Sequence, residues 1–148
     1  MTQARLPYGF SADIPVAYDE AVALTRDALA ASGFGVITEI DVKATLKKKL
    51  DAEFRPYVIL GACNPPLAHR ALTTELEIGL LLPCNVIVYA GDDPATSVVA
   101  VLDPVAQLGV TGRDDLEPLA VEVRGLLQQA LERVRSAAPT TLSHATRN

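Results

Sequence analysis

Two short segments of the 148-residue chain carry the same pair of side chains, a cysteine followed by an asparagine: Gly61-Ala62-Cys63-Asn64-Pro65 and Leu82-Pro83-Cys84-Asn85. They hold the only two cysteines of the sequence. Cys63 stands at the end of an apolar run and just ahead of a helix start. Backbone N–H groups and the partial positive charge of a helix terminus stabilise a thiolate at such a place. Gly61 and Ala62 keep side-chain bulk low there, so a ligand has room to approach the backbone. If the helix after Pro65 runs back along the strand and Ile78–Leu82 returns, Cys84 arrives beside Cys63.

Three chemistries suit that arrangement: a redox thiol pair, a metal site, or a ligand pocket at the helix start. A metal would take Cys63, Cys84 and His69 as soft or imidazole ligands. Neither C-x-x-C nor H-x-x-x-H spacing supports this, and His69 lies on the helix after Cys63, near two turns in. In a ligand or thiol site, Asn64 and Asn85 join the cysteines, with Lys49 and Arg55 as candidate anion contacts. The thiol reading requires reactivity at neutral pH. The competing reading is that both cysteines are small buried hydrophobes, the usual place for a free thiol.

Other polar residues read more simply. Glu39 and Asp41 flank Ile40 at a strand-to-helix junction; Asp41 fits a helix N-cap and Glu39 a surface position. Asp103 before Pro104 fits a cap or turn. All four lysines, Lys43, Lys47, Lys48 and Lys49, fall on one stretch, which reads as a solvated helix face before it reads as an anion site. G-x-G-x-x-G, P-loop, G-x-S-x-G and H-E-x-x-H are all absent from the sequence.

The elements that must position these residues follow from pattern. Tyr8–Ile14 reads as a first strand. Tyr18, Val22, Thr25 and Leu29 make one helical stripe closed by Gly33, and Phe34–Ile40 is a strand. Asp41 caps a helix through Asp51, in which Val42, Leu46 and Leu50 recur every four residues and are expected to face the core. Apolar runs follow at Tyr57–Ala62, Ile78–Leu82, Val86–Ala90 and Val98–Leu102. Asn64 caps a helix with Pro65 in its first position. Gly91-Asp92-Asp93-Pro94 is a hairpin turn, and Asp103-Pro104 opens a short helical turn ended by Gly109. Arg113–Ala137 is a long helix with a wide stripe from Leu116 through Val123 and Leu127 to Val134.

The order β-α-β-α-β-α-β-β-short helix-α implies an α/β fold, a two-layer sandwich with a mixed, largely antiparallel sheet and helices packed on it. The continuous apolar runs suggest strands buried on both faces. With so few helices, a second copy of the chain is the expected cover for what they leave open, hence a homodimer. The sequence reads as a single α/β domain over 1–138, with a polar, patternless tail over 139–148, His144 included, expected to be disordered.

Composition bounds the rest. Apolar residues make up 49% and charged residues 21%, which is globular. A net charge of −5 and a pI near 4.9 argue against nucleic acid as a partner. No uninterrupted apolar stretch is long enough to span a membrane, and Met1–Pro15 lacks the apolar region of a signal peptide. A cytoplasmic location is therefore expected, in which a stable disulfide is disfavoured.

Four segments taken together carry a likeness: Glu39-Ile40-Asp41-Val42, Thr45–Leu50, Arg55–Pro65 and Leu81–Val86. In that order they resemble the bacterial and archaeal family catalogued as "domain of unknown function 302". The resemblance implies a small, dimeric α/β protein. It carries over no reaction, cofactor or catalytic residue. Two functional readings stand: a small-ligand or thiol-dependent site around the Cys-Asn pairs, or a non-catalytic protein-interaction module with structural cysteines.

Overall fold

The computed structural model describes residues 3–139. Among them, six strands form one sheet in the order β1-β2-β6-β5-β4-β3, every neighbouring pair antiparallel. The strands are β1 (Ala4–Leu6), β2 (Gly9–Ile14), β3 (Gly35–Asp41), β4 (Tyr57–Cys63), β5 (Cys84–Ala90) and β6 (Ser97–Leu102). The helices are α1 (Tyr18–Ala31), α2 (Val42–Leu50), α3 (Pro65–Thr74), α4 (Pro104–Gly109) and α5 (Glu117–Ala137). The α/β sandwich is as the pattern implies, with no parallel pair in it. The proposed tail beyond Pro139 lies outside the described residues.

Period-two alternation decides which side chains meet the helices. Leu60, Val86, Val101 and Phe10 stand in one row across four strands, and Val58, Val88, Val99 and Ala12 in the next. All eight are buried, under α1 and α5. From α5, the stripe Leu119, Ala120, Val123, Leu127, Ala130, Leu131 and Val134, with Leu116 just ahead of the helix, meets them, every member buried. The opposite face carries Tyr57, Ile59, Ile87, Tyr89 and Val98, which are only half-buried. The strands expected to be buried on both faces are thus fully buried on one.

Local signals account for most helix ends. Gly33 takes φ +89° just past α1, a conformation that favours glycine. The Asp41 carboxylate accepts from the Ala44 N–H at 2.8 Å, and Asp103, only 2% exposed, accepts from Val105 N–H at 2.9 Å. Glu39 pairs with Arg26 of α1. Gly91 and Thr96 close the β5–β6 hairpin through Gly91 N–H to Thr96 O, 2.9 Å.

Two expectations are corrected. Ile78–Leu82 is not a strand: Leu76–Leu81 winds as a 3-10 segment after α3, burying Ile78 while Leu76 and Leu80 stand exposed. A run of apolar residues without alternation does not distinguish strand from helix. The second concerns α2. Its stripe does not enter the core: Val42 and Leu46 are half-buried, and Leu50 is 70% exposed. The helix packs mainly on the edge strand β3 and its neighbour β4, away from α1 and α5, so its stripe has no core to face. Leu50→Ala should therefore change stability by no more than about 0.5 kcal/mol. Leu127→Ala, in the fully buried stripe of α5, should cost about 2–5 kcal/mol. Urea denaturation of the two variants checks both.

Candidate functional site

The β4–α3–β5 crossover brings the cysteines together. Because β4 and β5 are antiparallel, the end of one lies beside the start of the other, and Ala62 pairs with Cys84. Cys63, the next residue, lines the same cavity as Cys84. Cys84 is buried and Cys63 half-buried, both as free thiols. The spatial premise of the sequence reading holds, although a 3-10 segment and not a strand makes the return.

The cavity occupies about 340 Å³ at this end of the sheet, between the strand ends, α3, α4 and α5. Its walls are mostly apolar, with Phe34, Leu67, Ala71, Leu108, Leu119 and Val123 among them. Among the described residues that line it, none carries a charge; the polar ones are Cys63, Cys84, Asn64 and Gln107. On the opposite sheet face, a Cβ on Gly61 would collide with Thr38 Oγ1 and come within 2.8 Å of Pro83 Cγ, so a larger residue there would force those side chains to shift. Arg113 bonds both Glu75, just past α3, and Asp115, just ahead of α5.

The electrostatics differ from those of a thiolate site. Positions one and two of α3 are Pro65 and Pro66, which have no N–H. The third N–H, of Leu67, is taken by the Asn64 side-chain oxygen at 3.3 Å, and that of Ala68 by the Asn64 carbonyl at 2.9 Å. The helix start thus has no free donor at these positions to offer a thiolate. Burial, with a smaller contribution from neighbouring Cys63, pushes the Cys84 thiol from its ordinary 9.0 up to about 11. It is a neutral thiol at physiological pH.

Gln107 is the polar group that pattern reading missed. Its Nε2 donates to the Leu81 carbonyl, while its Oε1 is buried without a partner among the described residues. An unpaired buried acceptor costs about 1–3 kcal/mol. The signal available in the sequence was faint, one amide inside the otherwise apolar Pro104-Val105-Ala106-Gln107-Leu108.

The remaining candidates go elsewhere. Asn85 follows Cys84 on a strand, so it points to the opposite face and is exposed. Arg55 precedes β4 at its other end, roughly 20 Å of strand away from Cys63. There it donates to the Ala90 carbonyl and Asp92 and covers the Tyr89 ring. Lys49 is exposed on α2 and does not line the cavity. His69 is exposed on α3 and does not line the cavity. Among the described residues no three His, Cys, Asp or Glu side chains gather to hold a metal, so Cys63, Cys84 and His69 do not form a centre.

A family model for "Domain of unknown function DUF302" matches residues 10–134, nearly the whole described chain. The chain belongs to the DUF302 family. A solved DUF302 structure, titled an uncharacterized conserved protein from Bacillus stearothermophilus, superposes with a TM-score of 0.79 at 29% identity. The match covers 86% of this chain and 98% of that one. No curated protein matches. The DUF302 resemblance drawn from the four sequence segments is correct.

Cys84 should resist alkylation by iodoacetamide at about pH 8 in the native protein, with label confined to Cys63 and both cysteines reacting in urea; peptide mass mapping reads the sites. The raised Cys84 pKa also has a signed consequence. The folded state keeps this proton where the unfolded chain loses it, so stability is intact below pH 9.0 and declines as pH rises towards about 11. Cys84→Ala should lose less stability than the parent over that window. Tyr18 and Tyr57, whose phenols burial also raises, titrate in both proteins and cancel in the comparison.

Proposed function

We propose that this DUF302 protein binds a small, uncharged, largely apolar molecule in the cavity at the β4–β5 strand ends. The observation that supports this most is a cavity of about 340 Å³ whose lining has no charged residue among those described. That size falls at the lower end of ligand pockets, which are commonly apolar with a few placed polar groups. It corresponds to about eleven waters' share of liquid volume, enough for a short-chain alcohol or a single substituted ring. Ionic ligands are disfavoured, because a buried charge needs a partner and the walls supply none. Cys84 serves as neutral lining, since burial holds it protonated.

The interaction reading keeps one observation of its own. The open sheet face presents the stacked Tyr57–Tyr89 pair, centroids 5.4 Å apart, beside Ile87 and Val98. Its proposed occupant is a second copy of the chain, covering the half-buried apolar side chains that α1 and α5 leave on that side.

Hexanol, followed by amide NMR titration, should bind with a dissociation constant on the order of millimolar and shift resonances of Leu67, Leu108 and Val123. Ala68→Phe, which adds a ring to the cavity wall, should abolish those shifts while the protein stays folded. Shifts scattered over the surface, or unchanged by Ala68→Phe, would remove the cavity from consideration. For the open face, sedimentation equilibrium should find a dimer in the parent and a monomer in Ile87→Lys; a monomeric parent rejects that pairing.

A further inference from the structure

The cavity has an inner and an outer end. Most of its lining is buried, with Leu108, Leu119 and Val123 from α4 and α5 among the buried residues. Among the described lining residues the exposed ones are Ile37, Leu72 and Gly79, none with a polar side chain, and they mark where the cavity meets solvent. Ile37 is 61% exposed, and a break in strand register accounts for its position. Val36 pairs with Ala62 and Thr38 with Gly61, which leaves Ile37 as the extra residue of a bulge. Bulges re-aim a side chain: Val36 packs on the core and Thr38 lies against Gly61, while Ile37 between them lines the cavity. The apolar surface continues outward. A Cβ on Gly79 would stand 4.0 Å from Leu72 Cδ2, and Leu76, 82% exposed, lies one 3-10 turn before Gly79 on the same side of that segment.

The inner end offers little to a polar group. Gln107 has its Nε2 on the Leu81 carbonyl and its Oε1 enclosed, and Cys84 is a neutral thiol, a weak partner. A hydroxyl carried inward would lose water without an equal replacement. One left between Ile37 and Leu72 keeps its water. We propose that the cavity takes an aliphatic chain with a single polar end, methyl end first, and that Ile37 and Leu72 hold the chain where it leaves. This rests on the cavity being a binding site and deepens that reading by naming the ligand class and its direction.

Octanol and 1,8-octanediol share a chain length and differ in whether one end is apolar, so NMR titration of the full chain with each tests the direction. Octanol should bind on the order of tenfold more tightly, because the diol must bury a hydroxyl. Intermolecular NOEs should join its terminal methyl to Leu119 and Val123, and its carbinol protons to Ile37. In Ile37→Ala, octanol affinity should fall roughly threefold while that of butanol, too short to reach the mouth from the inner end, stays unchanged. Equal affinities for octanol and the diol, with both shifting Leu67, Leu108 and Val123, overturn the direction and leave the cavity as a binding site. The reversed NOE pattern does the same. Equal losses for octanol and butanol in Ile37→Ala overturn the role of Ile37. Binding of none of these molecules removes the cavity reading, and this inference with it. Should Ile37→Ala fail to fold, the NOEs of the parent decide: no contact between the carbinol protons and Ile37 overturns the proposal.

Discussion

Antiparallel pairing of β4 with β5 is the constraint on which the site depends. It sets Ala62 opposite Cys84 and so puts Cys63 and Cys84, 21 positions apart in sequence, at one end of the sheet. The α3 crossover between these strands then has to pass over that same end, with α4 and α5 supplying the other walls. A one-residue slip of β5 would turn Cys84 to the open face and bring Asn85 under the helices. The buried row Leu60–Val86–Val101 opposes such a slip, since it would move every valine of β5 out of the core.

Burial and hydrogen bonding together set what chemistry this place supports. A cysteine ahead of a helix invites comparison with activated thiols, yet activation needs free donors or a nearby positive charge. Pro65, Pro66 and the Asn64 cap remove the donors, and neither of the charged candidates Lys49 and Arg55 lines the cavity. What remains favours neutral species. A protonated thiol at Cys84 and apolar walls are the features that support the proposed binding of an uncharged molecule.

Much of this was legible in the residues before the fold was known, for reasons that differ by element. Asp41, Asn64 and Asp103 announced helix starts because a short polar side chain can cap the first free N–H groups, and each does so. The α5 stripe was readable because a long helix repeats its signal over many turns. The cysteines' meeting could be framed as a condition on the crossover. The Leu76–Leu81 segment failed because its apolar residues carry no period that separates strand from helix. In α2, periodicity showed one apolar side and not that the sheet edge would leave it half exposed. Lys49, Arg55 and Asn85 failed on direction: sequence proximity to a motif does not say which end or which face of a strand a side chain occupies. Gln107 lay more than twenty residues beyond Cys84, and only the folded chain places it in the same cavity.

The most direct test of the account is a crystal structure of this protein grown with hexanol. Density for one alcohol is expected between α3 and α5, its chain against Leu108, Leu119 and Val123. A cavity closed by its own side chains, with no alcohol in it, would contradict it.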